Sequence, residues 1–153
     1  IDVDPRIRAL AINAKQAMDT CTSVPVQHAV ASFLEAGHLG PHLDRLRPIY
    51  RERKETMRHA LAERFGEEVT STNPDGGFFL WLTLGGRYAG IDTEAIFAEA
   101  LAGGVAYIPG RSFSAAGNFG NALRLCFATS TPERIVTGVD RLGAVLDRAA
   151  DAS

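Results

Sequence analysis

The sequence predicts an α+β fold: a small sheet covered by helices on one face, entered from the N-terminal side by further helices. Three observations predict it. Apolar residues recur at three, four and seven positions until Phe65. Beyond Gly66 short runs with strand character alternate with dense turn residues. A helical period then returns after residue 130. Composition suits a proper core: 153 residues, 46% apolar and 22% charged with mean hydropathy near zero, describe a globular domain and exclude collagen-like, disordered and coiled-coil chains.

Each element has its own signal. Asp4 before Pro5 marks a helix start, a carboxylate at the cap and a proline where its missing N–H costs nothing; this helix should reach Met18. Residues 24–36 form a second helix with Val26, Val30, Phe33 and Leu34 on one stripe, stopped by Gly37. A third, longer helix starts near Pro41 and carries Leu43, Leu46, Tyr50, Met57, Leu61 and Phe65 up to Gly66. Residues 68–72 are a short strand, Asn73-Pro74-Asp75-Gly76-Gly77 is turn chemistry, and residues 78–84 are an aromatic strand broken by Gly85-Gly86. Asp92 caps a helix with Ile96, Phe97, Ala100 and Leu101, closed by Gly103-Gly104. Residues 105–108 return as a strand, Pro109-Gly110 turns the chain, and residues 114–120 are a small-residue loop. Residues 122–128 alternate as a strand, and Ser130-x-x-Glu133 with Pro132 opens a last helix with core stripe Ile135, Val139, Leu142 and Leu146.

Several function classes fall away. A net charge of −2 and a pI near 6.1 give no global positive field for nucleic acid or an anionic membrane. Apolar runs are short, and Ile1-Asp2-Val3-Asp4-Pro5 has neither a basic leader nor an apolar core, so no transmembrane or secretory segment and a cytoplasmic location are expected. Cys21 and Cys126 make no disulfide framework and are expected as free thiols. The chain lacks an initiating Met, which raises the expectation that it is part of something longer. There is no Walker A loop and no GxGxxG, and Gly110-Arg111-Ser112-Phe113-Ser114 lacks the second glycine of a nucleophile elbow. His38 and His42 have metal-pair spacing, but Gly40 and Pro41 interrupt them and no ligand set completes them, so no metal is expected. His28 and His59 are isolated. Residues 44–64 hold seven of the sixteen basic residues, interleaved with Asp44, Glu52, Glu55 and Glu63, the pattern of ion pairs on a solvated helix face.

Arg124 is different. Strand alternation puts Leu123, Leu125 and Phe127 on one face and leaves Arg124 on the other, with only Ala122, Cys126 and Ala128 beside it. A guanidinium among small apolar neighbours suits a bidentate grip on a carboxylate. An arginine on a solvent-facing strand fits the same spacing, and spacing alone does not choose. Gly76-Gly77 would let backbone approach a ligand closely, although a plain hairpin-type connection explains it as well.

Ordered segments spread over nearly the whole chain carry a resemblance. They are Ala14-Lys15-Gln16, Asp19-Thr20-Cys21-Thr22-Ser23, Gln27, and the Arg47 to Arg53 stretch around Tyr50. Then come Asn73-Pro74-Asp75-Gly76-Gly77-Phe78-Phe79-Leu80-Trp81, Gly104-Val105-Ala106-Tyr107-Ile108-Pro109-Gly110 with Phe113, and Asn121-Ala122-Leu123-Arg124-Leu125-Cys126-Phe127-Ala128. Together they resemble the C-terminal part of a fold-type I, pyridoxal-phosphate-dependent aminotransferase of class I/II, nearest the kynurenine/2-aminoadipate branch. The resemblance implies an antiparallel-rich small C-terminal domain over residues 41–153, with residues 1–40 the helical tail of the large cofactor-binding domain. It implies that Arg124 binds the α-carboxylate of the substrate and that Gly76 and Gly77 lie at the active-site mouth. It also implies that Thr22 and Ser23 reach the partner subunit's active site in a homodimer.

The departures matter as much. The sequence has two lysines, Lys15 and Lys54, and neither matches the position that binds the cofactor covalently. The family's other residues for pyridoxal 5'-phosphate would lie upstream of Ile1, so no catalytic residue is expected here and the chain alone is expected to be inactive. The implied whole protein passes an amino group between an amino acid and a 2-oxo acid. The alternative is the aminotransferase-like effector-binding domain of a MocR-type transcription regulator, and a lyase or synthase of the same fold type is a third reading. Arg111 could reach an acidic substrate side chain or face water, and water is the expectation.

Overall fold

The computed structural model describes residues 4–19 and 21–152. Ile1, Asp2 and Val3 of the N-terminal reading, and Thr20 of the resembling segment, lie outside the described residues. The chain forms two compact units, Ile1–Arg45 and Leu46–Ser153.

The first unit is helical. α1 (Pro5–Met18) starts as expected, with the Asp4 carboxylate accepting from the Arg6 N–H at 2.8 Å. α2 (Val24–Glu35) follows, and neither helix contains a buried residue. The stripe read on α2 exists as a pattern, yet Val26, Val30, Phe33 and Leu34 are all exposed. α3 (Leu39–Phe65) begins two residues earlier than expected, so Gly40 and Pro41 lie inside its first turn, where a missing donor costs nothing. His42 is therefore helical while His38 is not, and both rings pack on Phe33, at 5.5 and 6.1 Å between centroids. Among the described residues no group of three or more His, Cys, Asp or Glu side chains is placed to hold a metal, and no helix is long and apolar enough to cross a membrane.

The second unit is a four-stranded, wholly antiparallel sheet in the order β1-β2-β4-β3, formed by β1 (Val69–Ser71), β2 (Phe79–Leu84), β3 (Ile108–Pro109) and β4 (Ala122–Cys126). Leu80, Leu82 and Leu84 of β2 with Leu123 and Leu125 of β4 are buried on one face. They share a core with Met57, Leu61 and Phe65 of α3 and with Ile135, Val139, Leu142 and Leu146 of α5 (Pro132–Asp151). Helices thus cover one face of the sheet, and the alternate residues of β2 and β4 face the other way.

Three local expectations are corrected. The strand read over residues 105–108 shrinks to Ile108–Pro109, because the Val105 N–H turns back to Ala100 O (2.9 Å) instead of pairing with β4. The helix read from Asp92 starts only at Phe97 and forms α4 (Phe97–Ala102), because Thr93 turns inward and one Asp92 oxygen is taken by Arg111. Thr131, not Ser130, caps α5, since Pro132 is its first residue and the cap is the residue before it.

The basic segment is also less solvated than expected. Arg58 and Glu55 do pair along the helix at 3.0 Å. Arg53, however, donates to Ala128 O, Lys54 to Asn73 Oδ1 (3.0 Å) and Pro74 O (3.2 Å), and Arg64 to Asp147, so these three tie α3 to the turns and to α5.

Candidate functional site

Arg124 sits at the middle of β4, opposite Trp81 on β2 and Ile108 on β3. It lies on the face away from the core, half-buried. Its guanidinium carbon is 3.9 Å from the centre of the Phe79 ring and 4.9 Å from that of Phe113. Its Nε is covered and has no hydrogen-bond partner, and Arg124 makes no ion pair among the described residues. The neighbours read from the sequence, Ala122 and Cys126, flank it along the strand, while its ring contacts come from Phe79 on the neighbouring β2 and Phe113 in the turn after β3. Trp81 extends the cluster edge-to-face to Phe113 (5.4 Å) and Phe119 (5.6 Å). Phe79 is 40%, Phe113 44% and Phe119 51% exposed, so the charge sits in an open aromatic patch. A cation beside ring faces, with apolar surroundings and no counter-ion, holds a strong field for a planar anion.

The scaffold beneath is tight. Thr93, fully buried, donates from Oγ1 to Ala122 O (2.7 Å) at the start of β4, while its N–H donates to Gly120 O (2.8 Å). The Tyr107 hydroxyl donates to Thr93 O (2.7 Å), and burial pushes that phenol up to about 12, so it stays a neutral donor. Asn121 donates from its side chain to Leu84 O (2.8 Å) and accepts from the Leu84 N–H (2.8 Å), fixing the register that sets Trp81 beside Arg124. Gly110 lies against the carbonyls of Phe119 and Ala122, where a Cβ would overlap both.

Arg111 keeps 40% of its side chain exposed to water, as expected, and is also tied down within the chain. It pairs with Asp92 at 3.0 Å and donates to Gly117 O (2.9 Å), bracing the loop that carries Phe113 and Phe119. Its guanidinium, with help from the Glu94 N–H, holds the Asp92 carboxyl below the usual carboxylate range.

Gly76 and Gly77 form an exposed turn in which Gly77 has φ 89°, a left-handed conformation that favours glycine. Lys54 anchors this turn, and Phe78 after it packs edge-on to Tyr50 at 5.2 Å. Two residues beyond Gly77 comes Phe79, under Arg124. Thr22 and Ser23 belong to the first unit, where the Thr22 carbonyl accepts from the Gln27 side chain (2.8 Å) and Ser23 precedes α2 without a side-chain cap. Lys15 donates to Asp19 O (2.6 Å) at the end of α1. A separate cleft of about 350 Å³ lies between residues 104–106, the end of β4 and the first half of α5, and Arg124 does not line it.

An antiparallel sheet backed by two long helices on one face recurs in known proteins. The family profile of aminotransferase class I and II matches residues 4–142, and the chain belongs to that family. It is 39% identical over 136 residues to aromatic-amino-acid aminotransferase 1 of Thermococcus litoralis, covering 89% of this chain and 32% of the relative. It is 40% identical over 135 residues to 2-aminoadipate transaminase of Thermus thermophilus, covering 88% and 33%. HTH-type regulators match too: YdcR of Escherichia coli is 32% identical over 139 residues, covering 90% and 29%. Among solved structures, a multiple substrate aminotransferase of Thermococcus profundus superposes with a TM-score of 0.81 at 33% identity, covering 99% of this chain and 37% of that one. The α-aminoadipate aminotransferase LysN of Thermus thermophilus, complexed with N-(5'-phosphopyridoxyl)-L-leucine, gives 0.79 at 36% identity, covering 99% and 38%. The chain thus spans about a third of the length of these relatives.

Proposed function

We propose that this chain is the C-terminal part of a pyridoxal-phosphate-dependent aminotransferase, and that Arg124 binds the α-carboxylate of the amino acid and of the 2-oxo acid in turn. The observation that carries the reading is the half-buried guanidinium without an ion pair on the open sheet face of an aminotransferase-family chain. A bidentate contact there orients the rest of the substrate by fixing two of its atoms. In this reading residues 1–40 are the tail of the large domain and residues 41–153 the small one. Gly76 and Gly77 rim the site, and Thr22 and Ser23 reach the partner's site in a cytoplasmic homodimer.

The residues of this chain do not fit the cofactor. Both lysine amines are engaged, Lys15 with Asp19 and Lys54 with Asn73, Pro74 and Glu55. The chemistry of amino transfer therefore rests on groups beyond these residues, and this chain's part is to bind and orient.

Replacing Arg124 tests the reading. In the full-length protein, Arg124→Ala should raise KM for amino acid and 2-oxo acid alike by about 100-fold, the worth of a charge-assisted bidentate contact, with the cofactor's absorbance unchanged. Unchanged KM for both substrates sinks it.

A second reading has its own support, the match to an HTH-type regulator over 90% of the chain. There the same arginine would hold the carboxylate of an effector. A DNA-binding segment ahead of the large domain, with no amino transfer by the purified protein, would favour it.

A further inference from the structure

We propose that Phe79 and Phe113 are positioning residues for Arg124: their rings grip the guanidinium and present its Nη edge to a carboxylate. The inference rests on the carboxylate-binding reading of Arg124 and extends it to the groups that aim the cation.

The other arginines around the sheet show how this molecule ordinarily holds a guanidinium. Arg111 is fixed by Asp92 and the Gly117 carbonyl, while Arg64 and Arg87 share Asp147. Each of these pairs with a carboxylate, Arg87 with Glu68 (3.6 Å) as well, although Arg64 and Arg87 also lie over the Phe65 and Tyr88 rings at 5.3 and 4.7 Å. Arg124 differs in having two rings, Phe79 at 3.9 Å and Phe113 at 4.9 Å, and no carboxylate partner among the described residues. An aromatic face attracts a cation through its quadrupole without accepting an N–H bond in the guanidinium plane, so the fork is restrained and still free to bind. A carboxylate in the same role would neutralise the charge and compete with the ligand.

The covered, partnerless Nε adds a direction. With that N–H shut away, the two Nη groups are the edge open to a bidentate contact. The rings are themselves fixed. Phe79 is built into β2 opposite Cys126, and Phe113 ends a tight turn that starts at Gly110, next to the Arg111 brace. A residue whose own position is set by strand register and by a braced loop can hold another to a narrow range.

The test uses the full-length protein. Phe79→Leu and Phe113→Leu keep apolar bulk and remove the ring face. Each should raise KM for amino acid and 2-oxo acid about tenfold with kcat within about twofold, and should weaken binding of 3-phenylpropionate, measured by calorimetry, by the same factor. Phe79→Tyr and Phe113→Tyr keep the face and should recover most of the loss. Adding Phe79→Leu to Arg124→Ala should change neither quantity further, because the cation it positions is gone. If Phe79→Leu does not fold, Phe113→Leu, on an exposed loop, reads the same effect. The proposal is overturned if the leucine variants bind as the parent does, if leucine and tyrosine behave alike, or if the loss persists without Arg124. Should Arg124→Ala raise KM while both leucine variants do not, the grip alone fails. If Arg124→Ala itself leaves KM and carboxylate binding unchanged, the underlying reading fails with it.

Discussion

Thr93 shows how much one unremarkable side chain can organise. Its hydroxyl, N–H and carbonyl reach Ala122, Gly120 and Tyr107, which joins the start of β4, the end of the loop before it, and the segment leading to β3. Thr93→Val preserves shape and leaves the buried Ala122 carbonyl without this donor. The expected cost is about 1–2 kcal/mol in thermal or denaturant unfolding, with the sheet register unchanged in amide spectra. Sequence spacing offered no sign of this role, because Asp92 looked like a helix cap and Thr93 like its first turn. The face that Arg124 occupies was legible by contrast, since a charged residue between alternating Leu123, Leu125 and Phe127 stands out within one strand, while spacing did not choose between a ligand and solvent for it. Its aromatic company was not legible. Phe79 and Trp81 meet it only through antiparallel register with a strand some 40 residues away, which no local period reports.

Among the elements, α5 was legible in its core stripe and is easy to perturb predictably. Its stripe Ile135, Val139, Leu142 and Leu146 is buried as the 3.6-residue period requires. Gly138 lies inside this helix with nothing within 4 Å of where a Cβ would stand. Gly138→Ala should therefore stabilise the protein by about 0.5–1 kcal/mol, seen as a higher midpoint of thermal unfolding. At the far end of the same helix, Asp147 gathers the Tyr88 hydroxyl (2.7 Å), Arg64 and Arg87. The Tyr88 hydrogen bond, with Arg64 and Arg87 beside it, holds this carboxyl below its ordinary 3.8. A carboxyl lowered in the folded state contributes fully above its unfolded value, and the contribution fades as pH falls through the folded one. Asp147→Asn should thus cost about 1 kcal/mol at neutral pH, and the gap to the parent should close only below a pH of about 3.8 in a pH series of unfolding curves. The elements read less well were β3 and α4. Both are short, and tertiary hydrogen bonds of Val105, Thr93 and Asp92 decide where they begin.

For the molecule as a whole, the period change at Gly66 was enough to foresee a sheet with helices on one face, and the ordered segments from Ala14 to Ala128 were enough to foresee the family. What composition could not show is that apolar stripes can be read correctly and still be exposed, as on α2, because a stripe says which residues share a face and nothing about what covers it. The engagement of both lysines leads to a further outcome. Pyridoxal phosphate added in equimolar amount to the 153-residue chain should leave no stoichiometric borohydride-trapped adduct on Lys15 or Lys54 by mass spectrometry, and a stoichiometric adduct on either would contradict their structural role.

The loop that carries Phe113 and Phe119 has one more consequence. Residues 114–120 are small apart from Asn118 and Phe119, the composition of a segment that ordinarily samples many shapes. Here the Ser114 hydroxyl accepts from the N–H groups of Ala116 (3.2 Å) and Asn118 (3.1 Å), Arg111 holds the Gly117 carbonyl, and Gly110 lies flush against the Phe119 carbonyl. Its freedom is surrendered once, when the chain folds, and, in the carboxylate-binding proposal, not again at each encounter with a ligand. An association that needs no prior ordering of this lip keeps more of its contact energy as affinity.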